Sequence, residues 1–245
     1  MSVFVNNAPK PRISHFFGIQ KEIYHALENS PTLHQYATVQ ELLFELRLRG
    51  NIIKAARMLY ESQVRFAPFR TSKFNPFIWK KTNNGYLLNP NVLPSHAIND
   101  VFINSREYAF ECTTAIVIIF YKAVLDSISI GSFNAFFQGL LVWDWHHDHD
   151  LGITTKSGRD FIPGDAVYFF NPEYDQPVWT GENAIYLGGN YYFGHGVGIQ
   201  TEVGMIHALN TLRKKNAVLS SYLLSQQSRM NMKYLEKIQA GYLYN

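Results

Sequence analysis

The chain contains one thiol, Cys112, and a carboxylate, Glu111, stands directly before it at the mouth of the apolar stretch "YAFECTTAIVIIFYKAVL", residues 108–125. A thiol becomes a nucleophile once ionised. The first turn of a helix favours that ionisation, because its free N–H groups and its dipole stabilise negative charge. The competing reading is a packed core cysteine, since free Cys is among the most buried residue types. Glu111 weighs against it: a carboxylate is a poor core neighbour unless paired, and it could accept a proton, unless its side chain simply turns outward. With no second cysteine, an intramolecular disulfide is excluded.

Nucleophilic cysteine chemistry takes its base from elsewhere in the chain. The stretch "GENAIYLGGNYYFGHG" supplies one if it folds as a hairpin. A two-residue turn at Gly188–Gly189 would pair Leu187 with Asn190 and Tyr186 with Tyr191, and so outward until Glu182 faces His195. Opposed residues share a face about 5 Å apart, so a carboxylate and an imidazole would be presented together. A turn that includes Asn190 would shift this register. Gly194, Gly196 and Gly198 would let another backbone come close. The plainer reading of His195 is a hydrogen-bonded structural histidine.

"DWHHDHD", residues 144–150, resembles a metal-ligand set in composition. Its spacing matches neither a helical His pair nor a calcium loop with its Gly and terminal Glu. A solvated strand end or loop is expected there. With no Cys-rich zinc pattern, no P-loop and no G-x-G-x-x-G after a strand, no metal and no cofactor are expected.

These groups need elements to hold them. Between Pro9 and Pro31 a short peripheral helix carries Ile19, Ile23, Tyr24 and Leu27 at helical spacing. "TVQE" at Thr38 reads as a capping box for a helix lined by Leu42, Leu43, Leu46, Ile53, Ala56 and Leu59, either as a pair or as one helix strained at Gly50. From Phe66 to Pro94, prolines and Asn83-Asn84-Gly85 break the chain into loop and short strands, and Ser95 caps a helix through Ile103. The run after Cys112 has no Gly or Pro before Gly131, too long for a buried strand, so it reads as a central helix, apolar nearly all round. "LLVWDW", "DAVYFF", "NAIYLG" and "NYYFGHGVGI" then form an antiparallel sheet, residues 201–212 a helix, and "AVLSSYLLSQ" a last strand. The class is α+β, one domain over 1–245 with a helical portion to about residue 65.

Composition excludes several functions. With 47% hydrophobic and 17% charged residues the chain can build a core and lacks the signature of disorder. The net charge of +3 is scattered, which argues against a nucleic-acid partner. The chain has no run of about 18 apolar residues, so no membrane span is expected, and without a basic then apolar N-terminus the expected site of synthesis is the cytoplasm.

Taken together, "YAFECTTAIVIIFYKA", "DWH", "GDAVYFFNPE", "GENAIYLG", "YYFGHGVGI" and "SYLLSQ", with "ELLFELRLR" upstream, closely resemble the small spore-coat transglutaminases of endospore-forming Bacillus-like bacteria, over nearly the whole chain. That resemblance implies an NlpC/P60-like, papain-related core with Cys112 as nucleophile, Glu182 as its catalytic partner, Glu111 as a substitute and His195 nearby. It implies protein-glutamine gamma-glutamyltransferase activity: Cys112 attacks a protein Gln side chain, ammonia leaves, and a Lys amine of a second protein resolves the thioester into an isopeptide crosslink, without calcium. Partners would be proteins supplying Gln and Lys, as in a spore coat built from the mother cell. The rival readings are a cysteine amidase or deamidase of the same fold and a non-enzymatic coat component.

Overall fold

The computed structural model describes residues 2–6 and 8–241. Its centre is the helix predicted after the thiol, α4 (Cys112–Leu125), all 14 residues of which are buried. The β-branched run Ile116–Ile119 is a modest helix former, at a cost of a few tenths of a kcal/mol per residue. Burying each such side chain contributes about 1.5–3 kcal/mol, so packing decides. Its one charge, Lys122, is met by Asp126 one turn on, at 2.5 Å.

Helices α1 (Gly18–Asn29) and α2 (Val39–Glu61) belong to the core. Ile23, Tyr24 and Leu27 of α1 are fully buried, so this helix is not the peripheral one its sequence suggested. α2 is a single helix running through Gly50, where an added Cβ would make only an ordinary contact, 3.7 Å from Ile19, and no strain is present. Its cap is the predicted one with one change: Thr38 Oγ1 accepts from the Glu41 N–H, while Glu41 reaches back to the N–H of Ala37. Arg49 of α2, 1% exposed, holds Glu45 and Asp165 at 2.8 Å each, and Arg229 takes the other oxygen of Asp165 at 2.7 Å. This buried network ties α2 to the sheet.

Short strands frame the core. β1 (Val3–Val5) pairs with β2 (His34–Tyr36); β3 (Arg65–Phe66) is followed by the hairpin β4 (Trp79–Thr82) and β5 (Gly85–Leu88). α3 (Pro94–Ile103) begins with Pro94 at its first position and Leu93 as cap, so Ser95 is not the cap; a proline there loses no hydrogen bond. β6 (Ala109–Phe110) pairs parallel with β3 and leads into α4. After α5 (Ile130–Phe136) comes β7 (Leu141–Val142), from "LLVWDW", which joins β5 instead of the main sheet.

The main sheet is antiparallel throughout. It contains β8 (Thr154–Ser157), β9 (Ala166–Phe170), β10 (Gly181–Gly188), β11 (Tyr191–Gly194), β12 (Gly198–Thr201) and β13 (Tyr222–Arg229), in the order β12-β11-β10-β9-β13-β8. α6 (Glu202–Asn210), capped by Thr201, covers its outer face with Met205 and Leu209, and α7 (Met232–Gln239) closes the chain. β8 and α7 went unpredicted. β8, "TTKS", is exposed along its length and carries no apolar alternation to read.

Candidate active site

β6 delivers the chain to Glu111, which is the N-cap of α4, and Cys112 is the first helical residue. The Glu111 carboxylate turns back onto its own helix, neither outward nor free. One oxygen accepts from the Thr114 N–H at 2.8 Å and from the Thr114 hydroxyl; the other accepts from the Thr113 N–H. Thr114 Oγ1 in turn accepts from the backbone N–H of Asp144 at 2.9 Å.

Cys112 is 7% exposed. Asn183 faces it from β10: Nδ2 donates to Thr113 Oγ1 at 2.9 Å and lies 3.8 Å from Sγ. Burial pushes the thiol well above its ordinary range, the charges of Glu182 and Glu111 push it further, and the N–H groups of Asn183 offset only part of this. The helix start was expected to favour the thiolate. Glu111 cancels that field by filling the cap, so Cys112 rests as a thiol.

Glu182 is fully buried. Its Oε1 accepts from the Gly196 N–H at 2.9 Å, and its Oε2 has no partner. Burial raises its carboxyl to about 8; the Gly196 N–H and the neighbouring Cys112 thiol act in the opposite direction, while the Glu111 charge adds to the rise. Glycines make the space. A Cβ at Gly194 would stand 2.6 Å from Glu182 Cγ, and one at Gly196 would stand 2.9 Å from Oε2.

His195 is not opposite Glu182. The turn is Gly189–Asn190, both with positive φ (56° and 65°), so Gly188 pairs with Tyr191, and a bulge at Leu187 restores Tyr186 to Tyr192 and Ala184 to Gly194. That register brings Gly196 to Glu182. His195 instead sits among Phe110 and Phe66, ring centroids 5.2 and 6.2 Å away. Burial lowers its pKa to about 4, so the ring is neutral, and its buried Nε2 has no partner. Two of the buried side-chain atoms left without a hydrogen bond among the described residues, on Glu182 and His195, thus belong to this site.

Phe66 stacks on Trp179, centroids 4.8 Å apart, and both rings lie against Gly196. On the other side of Asn183 opens a cavity of about 360 Å³ lined by Thr113, Asp144, Trp145, Tyr168 and Asn183 among others. Asn183, Phe66 and Tyr168 were not singled out from the sequence. The signal for Asn183 was its place next to Glu182 in "GENAIYLG"; Phe66 and Tyr168 carry no local signal, since only the fold brings them here.

"DWHHDHD" is a loop, as expected, pinned to α4 by the Asp144 N–H on Thr114 and the Asp148 N–H on the Tyr121 hydroxyl at 2.7 Å. Asp148, His149 and Asp150 come within 4.8 Å of one another. Their carboxylates already have structural work: Asp148 accepts from the Asp150 N–H, and Asp150 accepts the Tyr234 hydroxyl.

A thiol, a buried carboxylate with a free oxygen and an amide donor can carry acyl transfer. Comparison with known proteins gives the same chemistry. Residues 4–239 match the family model described as protein-glutamine gamma-glutamyltransferase. A protein-glutamine gamma-glutamyltransferase of Bacillus pumilus is 45% identical over 90% of this chain and 91% of its own, and one of Bacillus cereus is 39% identical over 95% and 84%. A transglutaminase from Geobacillus stearothermophilus, solved without its C-terminal extension, superposes with a TM-score of 0.78 at 51% identity, covering 82% of this chain and 97% of the other. The chain belongs to the protein-glutamine gamma-glutamyltransferase family and is an acyltransferase that crosslinks proteins.

Proposed function

We propose that Cys112 is the acyl acceptor and Glu182 its base. The observation that carries this is a fully buried carboxyl, one oxygen of which has no hydrogen-bond partner, in the same buried site as a protonated thiol whose ionisation it opposes. As a Gln side chain arrives, ionised Glu182 takes the thiol proton and Sγ bonds to the amide carbon. The tetrahedral oxyanion meets an amide donor in Asn183 Nδ2, because Glu111 has already taken the Thr113 and Thr114 N–H groups. Glu182 returns the proton to the departing ammonia, leaving a thioester. A Lys amine then attacks the same carbon, gives a proton to Glu182, and the sulfur leaves and is reprotonated, completing the isopeptide.

Glu111 acts through the cap and through its charge, and His195 as a neutral wall of the site. The helix-on-antiparallel-sheet core is of the NlpC/P60, papain-related kind, and 1–245 works as one domain, since the larger apolar cluster draws on the chain from Val3 to Ile238 and the smaller one lies on the other face of the same sheet. The reaction runs without calcium. Its substrates are spore-coat proteins, and the enzyme, made in the mother-cell cytoplasm, ends at the spore surface; the Bacillus relatives support this setting.

The experiment is mass spectrometry of the protein incubated with a Gln peptide and a labelled primary amine. Wild type should carry the acyl group on Cys112 and release labelled peptide. Cys112→Ala should do neither while remaining folded, since one small side chain at a helix start is worth about 1 kcal/mol. Labelled product from that variant would remove the mechanism.

A further inference from the structure

The cavity beside Asn183 has one charged residue in its lining, Asp144. This residue is exposed, sits at φ 51°, and has no cation near its carboxylate among the described residues. Its backbone is fixed by the bond to Thr114, the residue whose hydroxyl closes on Glu111, so the carboxylate is held at a set place relative to the start of α4. Trp145, 37% exposed, stands beside it in the same lining. The remaining wall mixes polar groups, on Thr155, Tyr168, Gln226 and Ser228, with the apolar Ala166 and Val167. Its inner end is Thr113 and Asn183, the neighbours of Sγ.

On the reading of Cys112 and Glu182 given above, we infer that this cavity is the entrance for the amine substrate, and that Asp144 with Trp145 selects a cationic side chain, the ε-ammonium of Lys. A neutral Gln carboxamide gains nothing from an uncompensated carboxylate. A Lys ammonium gains the carboxylate's field at a partly enclosed site and the face of an indole. The four-carbon stem then spans from the mouth towards Asn183, where the ammonium gives one proton to solvent and the neutral amine, on attacking, gives a second to Glu182, which passes it to the departing sulfur. The Gln substrate is left the other approach, along the stacked Phe66 and Trp179, whose apolar faces suit its methylenes.

The test compares two amines on the whole protein with one Gln peptide: a lysine amide, charged at neutral pH, and hydroxylamine, uncharged there. The readout is the ratio of kcat/KM for the lysine amide to that for hydroxylamine. Asp144→Asn should lower this ratio about fivefold, as removal of one partly screened ion pair would. Asp144→Lys should lower it further, and Asp144→Glu should restore most of it. An unchanged ratio in Asp144→Asn overturns the assignment, as does an equal fall in Asp144→Glu, since charge would then not be the agent. Failure of the wild type to form hydroxamate at all would instead remove the transfer mechanism on which the assignment rests.

Discussion

A thiol that rests protonated is only as useful as the base beside it, and Glu182, the base proposed above, can serve only when ionised. Its carboxyl is raised to about 8 by burial, so at lower pH the site holds two protonated groups. The rate of acylation by a Gln peptide is therefore expected to rise with pH through about 8. Glu182→Gln should lose on the order of 100 to 10,000-fold and that pH dependence with it. If His195→Gln fell by that amount while Glu182→Gln stayed near wild type, the roles would be exchanged. The same shift has a cost in stability. Between about 4.5 and about 8 the folded chain holds a proton on Glu182 that the unfolded chain has released, so stability falls as pH rises through this window. His195, lowered to about 4, acts in the opposite sense below its ordinary 6.5, which leaves the decline visible between about 6.5 and 8. Glu182→Gln should thus raise the free energy of urea unfolding relative to wild type, more at about pH 9 than at about pH 5, by as much as a few kcal/mol. An equal effect at both would refute the buried-carboxyl account. At this scale the sequence singled out Cys112, Glu182, Glu111 and His195, but the thiolate expected at the helix start is a thiol, because ionisation depends on burial and on a filled cap that spacing does not reveal.

Elements decide the different surroundings of the two carboxylates nearest the thiol. Glu111 lies beside the thiol in sequence and caps the start of α4; Glu182 is seventy residues away, fully buried, and keeps one oxygen without a hydrogen-bond partner. Glu111→Ala should cost about 1 kcal/mol of stability, the usual value of an N-cap, and should lower activity by much less than Glu182→Gln. A loss equal to that of Glu182→Gln would mean that Glu111 handles the proton itself. Elements with a pattern in their own residues could be read in advance: α4 from an uninterrupted apolar run, α2 from its cap and stripe, α6 from Thr201. Those stabilised by distant partners could not. β8 is polar and exists because β13 pairs with it, and β7 is two residues added to a hairpin. Arg49 and Glu45 look like the solvated face of α2, and only Asp165, more than a hundred residues on, turns them into a buried network. The Glu182–His195 pairing failed for a local reason, a turn placed one residue early.

For the whole molecule, the competition that matters is between an amine and water at ~55 M for one thioester, and exclusion of solvent has to settle it. Cys112 is the first residue of a wholly buried helix, and the rings of Phe66 and Trp179 and the burial of Glu182 make the same end of the sheet apolar. With millimolar primary amine and a Gln peptide, isopeptide is expected to exceed Glu-containing peptide; a product that is mostly Glu at every amine concentration would make the enzyme a deamidase. Excess chelator is expected to leave the rate unchanged, because the Asp148 and Asp150 carboxylates are engaged within the protein and the one His/Asp group of ligand spacing among the described residues, Asp148–Asp150, falls short of the six to eight oxygens that calcium takes. Loss of activity restored by added calcium would overturn this. The Gly189–Asn190 turn, finally, sets a limit on how this chain can vary in length. Exposed loop tips are ordinarily where insertions, tags and circular permutations are accepted. This one is exposed, yet it counts residues for a site roughly 20 Å down the strand. One residue added there would slide β11 along β10, withdraw the Gly196 amide from Glu182 and bring an imidazole ring into the space the glycines keep open. A library of random insertions should find its surface loops permissive and this tip closed, with variants that fold and do not crosslink.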